Sequence, residues 1–177
     1  MTCLGIDPGT AMCGWCLLDG AAHVAHGTVD ISGRQPWAAK RRRAEEQFAS
    51  LLAEHRPDVV AIEKTQVPRP QETDSPARVF SMGVLTQHTE ELAGALTGLA
   101  VARGAQVVRV SPAGGLSALG CKRGATDRDV AEAFCRLFGV KLLVREHHVG
   151  RAAGVALRGA TEARLQVARA LRLEVPA

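Results

Sequence analysis

Apolar and polar positions along this chain follow two rhythms, one short and one long. Residues 2–7 form an apolar run that closes on a carboxylate, and Pro8-Gly9 turns the chain at once. Such a run predicts a strand entering a core, with Asp7 at or near its end. Segments 12–18 and about 22–31 read as two more strands, with a turn at Asp19-Gly20. Tight turns make these three an antiparallel meander. From Gln35-Pro36 the rhythm lengthens to that of a helix, running to about His55 with an apolar stripe of Trp37, Ala44, Phe48, Leu51 and Leu52. Arg56-Pro57-Asp58 breaks it, and residues 59–63 form a fourth strand that again ends in a carboxylate, Glu63. A helix between two strands implies a crossover and parallel pairing.

The next segment, 64–74, is rich in polar residues and proline and predicts an exposed loop directly after Glu63. Ser75-Pro76 then starts a helix, with a capping hydroxyl and proline at the first helical position. It runs to about Arg103, with Leu85, His88, Leu92, Leu96 and Leu99 at helical spacing. Residues 106–110 are a fifth strand. Ser111-Pro112 opens a short helix, Gly120-Cys121-Lys122-Arg123-Gly124 is a basic loop, and Thr126 caps a helix to about Phe138. Residues 149–157 and 161–171 read as two closing helices.

The two strand-end carboxylates are the first sign of chemistry. A buried charge is costly unless it is paired or bound to a metal. One carboxylate leaving an apolar run is a weak signal; two on separate strands suggest a cation site. Composition adds limits. At 177 residues and 46% hydrophobic content the chain can build a core and reads as one domain over 1–177. No apolar run reaches the roughly 20 residues of a membrane span, and no basic-then-apolar leader is read, so a cytoplasmic protein is expected. The net charge of +4, with Arg far exceeding Lys, is compatible with nucleic acid. Aromatics at 3% favour backbone and shape recognition over base stacking.

Other residues draw plainer readings. Five cysteines are an odd number, which argues against a disulfide framework. Cys13 and Cys16 have metal-ligand spacing, but on a strand they face opposite ways and no second pair completes a zinc site. His23, His26, His55 and His88 show no spacing that involves both carboxylates. Lys40-Arg41-Arg42-Arg43 sits on a helix ahead of Glu45 and Glu46, which points to intrahelical ion pairs.

The order β-β-β-α-β-α-β-α-α is that of a ribonuclease H-like fold: α/β, with a five-stranded mixed sheet, strands 1–3 antiparallel, strands 4–5 parallel to strand 1, and helices flanking it. With the residues so placed, the chain resembles the RuvC-type Holliday junction resolvases. The resemblance rests on Gly5-Ile6-Asp7-Pro8-Gly9-Thr10 with Gly14-Trp15, on Ala61-Ile62-Glu63 after Pro57-Asp58, on Val110-Ser111-Pro112, and on the Ala-rich segment 152–157. It implies a divalent-metal-dependent endonuclease that resolves four-way DNA junctions, with Asp7, Glu63 and His148 as metal ligands and catalytic groups. Mg²⁺ is the implied cofactor, with Mn²⁺ possible. The resemblance also implies a homodimer, with helix 76–103 as candidate interface, and branch-migration proteins as possible partners. Lys122, Arg123 and Arg128 are the implied DNA contacts, while Gly114, Gly115, Leu116 and Ser117 stand where the family often carries lysines. In that family the loop after Glu63 often carries a wedging aromatic. Here it holds Thr65, Gln66 and Val67, leaving an aliphatic group or Phe80.

One position departs from the pattern. The family places a second acidic ligand three residues after the position of His148, and this chain has Arg151 there. A guanidinium stays protonated and cannot coordinate a metal. Three readings follow: Glu146 or His147 serves through a shifted register; three ligands and water suffice; or the protein binds junctions without cutting them.

Overall fold

A computed structural model describes residues 1–66, 70–71 and 73–173. Five strands form one sheet in the order β3-β2-β1-β4-β5. β1 (Thr2–Asp7), β2 (Met12–Asp19) and β3 (Ala22–Asp30) are the antiparallel meander. β4 (Val59–Glu63) pairs in parallel with β1, and β5 (Gln106–Val110) in parallel with β4. This is the mixed sheet that the order of elements predicts. At its lower end Asp58 accepts from the Thr2 backbone N–H at 2.7 Å, tying the start of β1 to the start of β4.

Helices cover both faces. On one lie α1 (Trp37–His55) and α2 (Pro76–Ala102), held by Phe48, Leu52, Leu92 and Leu96 against Leu4, Ile6, Val60 and Ile62. On the other lie α3 (Pro112–Ala118), α4 (Asp127–Phe138) and α5 (His147–Leu173). Cys13 and Cys16 are buried on opposite faces, one in each core, as strand alternation requires. No helix among the described residues is long and apolar enough to cross a membrane.

One expectation is corrected. The two closing helices are one, α5. Gly159 is not a stop: a Cβ there would overlap Ala61 of β4, so the glycine lets α5 lie close to the sheet. The buried row Val149, Ala152, Ala156, Ala160 and Ala163 continues through it at helical spacing. The apolar row of α2, by contrast, is core only in its second half. Leu92 and Leu96 are buried in the core, but Leu85 is 51% exposed and Phe80 74% exposed.

α5 approaches β1 and β2 at near-backbone distance. A Cβ at Gly5 would overlap the Ala152 carbonyl, and one at Gly14 would overlap the backbone of His148. These contacts bring the first turns of α5 to the end of β1, where Asp7 stands.

Candidate active site

In the parallel pairing of β1 and β4 the last partners are Ile6 and Ile62. The next residues are Asp7 and Glu63, so both carboxylates leave adjacent strands at their carboxyl ends. That edge is where open parallel sheets place ligands. After Asp7, Cys13 Sγ donates to the Gly9 carbonyl at 3.3 Å and fixes the turn. After Glu63, the Lys64 N–H donates to the Val110 carbonyl at 2.8 Å, and the Thr65 N–H donates to Glu90 at 3.1 Å. Arg109 Nη2 lies 3.1 Å from both oxygens of Glu90, which pins the loop to α2.

Asp7 is 7% exposed. The partner its burial calls for is His148, whose Nδ1 lies 2.7 Å from Asp7 Oδ2. A carboxylate only accepts, so the imidazole donates from Nδ1, and in its neutral form Nε2 is the acceptor. Among the described residues Glu63 has no such donor. Burial, and then the charge of Asp7, push its carboxyl up to about 8, while Arg151 pulls the other way. Asp7, Glu63, Thr65, Thr89 and Arg151 share the walls of a cavity of about 230 Å³.

Two neighbouring carboxylates, one driven toward protonation by burial and then by the other's charge, form a site that a divalent cation relieves. Among the described residues no group of three or more His, Cys, Asp and Glu side chains converges on one metal position. Asp7 and Glu63 line the cavity together; His148 is bound to Asp7 and lies outside its walls. The donor set fits a hard cation on two carboxylates with water completing its shell, which is the habit of Mg²⁺.

Arg151 lies one helical turn after His148 and bonds Asp127 at 3.3 Å. His147 Nε2 is 3.7 Å from the same carboxylate oxygen, and Glu146 accepts from the Leu143 N–H at 3.0 Å. Neither takes the place of Arg151 at the cavity. The three basic candidates separate. Arg123 lines a groove of about 650 Å³ that also contains Arg151, Lys122 lines a different cleft with Arg136, and Arg128 pairs with Glu132 at 2.8 Å. On α1, Arg41 pairs with Glu45 at 3.0 Å, the expected intrahelical pair. Val67 falls outside the described residues. Asp127 and Glu90 escaped sequence reasoning, and Thr65 was named only as part of the loop after Glu63. Only Asp127 carried a signal, as the first helical residue after the Thr126 capping box.

The sheet order, the helices on both faces and the strand-end carboxylates define an α/β protein of ribonuclease H-like fold. The chain is similar to the crossover junction endodeoxyribonuclease RuvC of Gloeobacter violaceus, 29% identical over 164 residues, 90% of this chain and 87% of that one. To the RuvC of Sorangium cellulosum it is 39% identical over 67 residues, 36% of this chain and 37% of the relative. In the first three curated relatives the match spans about two fifths of the relative's length. Thermus thermophilus RuvC, solved in complex with a Holliday junction substrate, superposes with a TM-score of 0.72 at 24% identity, over 93% of this chain and 96% of that one. The yeast mitochondrial Holliday junction resolvase gives 0.62 at 14% identity, over 96% and 82%. No protein-family model matches the chain. In sequence the chain is similar to these RuvC proteins, and its fold is that of the solved RuvC structure.

Proposed function

We propose that this chain is a divalent-metal-dependent endodeoxyribonuclease that resolves four-way DNA junctions by paired phosphodiester hydrolysis. The observation that carries the reading is the pair Asp7 and Glu63, side by side at the carboxyl ends of parallel strands in one cavity. These two residues would hold Mg²⁺ or Mn²⁺, which, when bound, acidifies water and screens the phosphate charge. His148, donating from Nδ1 to Asp7, fixes that carboxylate and keeps Nε2 as the acceptor for a proton from the attacking water. The Asp7 carboxylate in turn stabilises the imidazolium that forms. Arg123, in the adjoining groove, takes a backbone phosphate, while Lys122 lies in a separate cleft and Arg128 is held by Glu132.

A four-way junction has two-fold symmetry, and paired cuts need two active sites. The exposed apolar first half of α2, with Val79, Phe80 and Leu85, is the surface we assign to a second copy of the chain. Arg151 favours a second reading, a junction-binding protein that does not cut, because a guanidinium at the cavity adds no metal ligand.

The test is nicking of a synthetic four-way junction in Mg²⁺ and in Mn²⁺, with linear duplex as reference. Symmetric nicks in the junction and a loss of at least about 1000-fold in Asp7→Asn are expected. Tight junction binding with no nick in either metal would leave the binder as the better reading.

A further inference from the structure

Arg151 joins two spaces. It is a wall of the cavity that holds Asp7 and Glu63, and also a wall of the groove formed by Pro112, Leu116, Arg123 and Ala125. His148 and Arg151 lie three residues apart on α5, so both leave the helix on one side. A guanidinium beside two carboxylates would ordinarily bond one of them. Here its hydrogen bond, among the described residues, goes to Asp127 at 3.3 Å. Asp127 is the first residue of α4, and the Thr126–Asp129 capping box ties down that end of the helix. The arginine is therefore anchored from α4. A guanidinium carries five N–H groups in a rigid fork, and the bond to Asp127 uses one of them.

The groove beyond it is basic rather than acidic: Arg123 and Arg151 are the charged residues that line it. Its other walls carry no charge: Ala113, Ala125 and Leu116 are small or apolar, and Gln66 and Ser117 are neutral polar groups. Two guanidinium groups along one groove that opens at a carboxylate pair suit a polyanionic strand whose phosphates pass from one cavity to the other. Planar forks match phosphate oxygens in pairs. A single small anion would need only one of them.

We infer that Arg151 is a direct ligand of the scissile phosphodiester, holding a non-bridging oxygen at the border between the two cavities. The inference rests on the endonuclease reading above. It turns the residue that argued against cleavage into part of the machinery. The chain itself then supplies, as a fixed charge, positive potential at the phosphate where the resemblance implies an acidic metal ligand. In the hydrolysis, a water oxygen bonds to phosphorus, the bond from phosphorus to the leaving sugar oxygen breaks, and the proton lost by the water ends on that oxygen. Arg151 gives up no proton. It binds charge that grows on the non-bridging oxygens as the water adds, so its contribution is larger in the transition state than in the ground state. Asp127 is a positioning residue that aims it.

The experiment measures junction binding in EDTA, where no cleavage occurs. The nick is first mapped with wild-type protein in Mg²⁺, and one neutral methylphosphonate is then placed at the mapped phosphate, as separated isomers. In wild-type protein one isomer should weaken binding about tenfold, the loss of one charge-assisted contact, and the other isomer much less. In Arg151→Ala neither isomer should weaken binding further, and Arg151→Lys should show a smaller effect of the same sign. Equal losses in wild type and Arg151→Ala would overturn the inference, as would wild-type binding indifferent to both isomers. The isomer comparison needs no variant, so it holds even if Arg151→Ala fails to fold. Absence of any nick to map would sink the endonuclease reading instead, which keeps the two failures apart.

Discussion

The two faces of the sheet are built on different principles. On the α1/α2 face large side chains fill the space: Phe48, Leu52, Leu92 and Leu96 stand between helix and strand. On the α5 face small residues remove it: Ala152, Ala156 and Ala160 lie against a sheet that offers Gly5, Gly14 and Ala61. A face filled by side chains loses stability in proportion to what is removed, because neighbours relax only partly and a cavity remains. A face closed to backbone distance has nothing to relax, since its obstacles are carbonyls and amides. The candidate site depends on the second face. His148 and Arg151 ride on α5, and their positions relative to Asp7 are only as exact as that close packing.

Breaking each face should therefore look different. Gly5→Val should have the largest effect. The added carbons collide with the Ala152 carbonyl and the Ala156 amide, and α5 must leave the sheet, so we expect no folded protein by circular dichroism. Leu92→Ala, on the other face, should cost about 3 kcal/mol and lower Tm by about 6–12 °C, with nicking kept below the new Tm. A Leu92→Ala variant that unfolds completely, or a Gly5→Val variant that merely softens, would erase the distinction.

Smaller changes test the site on the closed face. His148→Ala leaves the buried Asp7 without its donor and should cost about 1–3 kcal/mol, read from urea midpoints in EDTA. The Glu63 carboxyl sits at about 8 in the fold against an ordinary value of 4.5. Between those values the folded state keeps a proton that the unfolded state releases. Stability in EDTA should thus fall as pH rises from about 4.5 to about 8, by no more than about 1.4 kcal/mol per pH unit from this one group. Glu63→Gln should flatten that slope, and Mg²⁺ should raise Tm more at pH 8 than at pH 5. A wild-type slope unchanged by Glu63→Gln would remove the coupling of the two carboxylates. The smallest effect on stability belongs to Phe80→Ser on the exposed half of α2, under about 0.5 kcal/mol. Its readout is sedimentation: the dimer we assign to that surface should dissociate more readily.

Much of the architecture was legible in the chain because its signals are local. Asp19-Gly20, Ser75-Pro76 and Thr126 mark element boundaries through turn and capping chemistry, and the observed β4, β5 and α4 begin and end where the pattern puts them. The closing helix was misread at Gly159 because a glycine that ends a helix and a glycine that admits a neighbour look alike in sequence. The row of α2 shows a related limit. Periodicity shows which residues share a side of a helix, but not whether anything covers that side.

The site divides along the same line. Asp7 and Glu63 could be read from the chain alone, since a carboxylate closing an apolar run is improbable without a partner to meet its charge. Sequence order also placed them on strands joined by a crossover, which sets neighbouring parallel strands. Which group meets which charge was decided only by tertiary packing. That Asp7 is held by His148 from 141 positions away, that Glu63 is left to bear the strain, and that Arg151 is anchored by Asp127 between two cavities all depend on how closely α5 settles on the sheet. Side-chain spacing along one element is local information. The approach of two backbones is set by every residue between them, and here by the absence of side chains at Gly5 and Gly14.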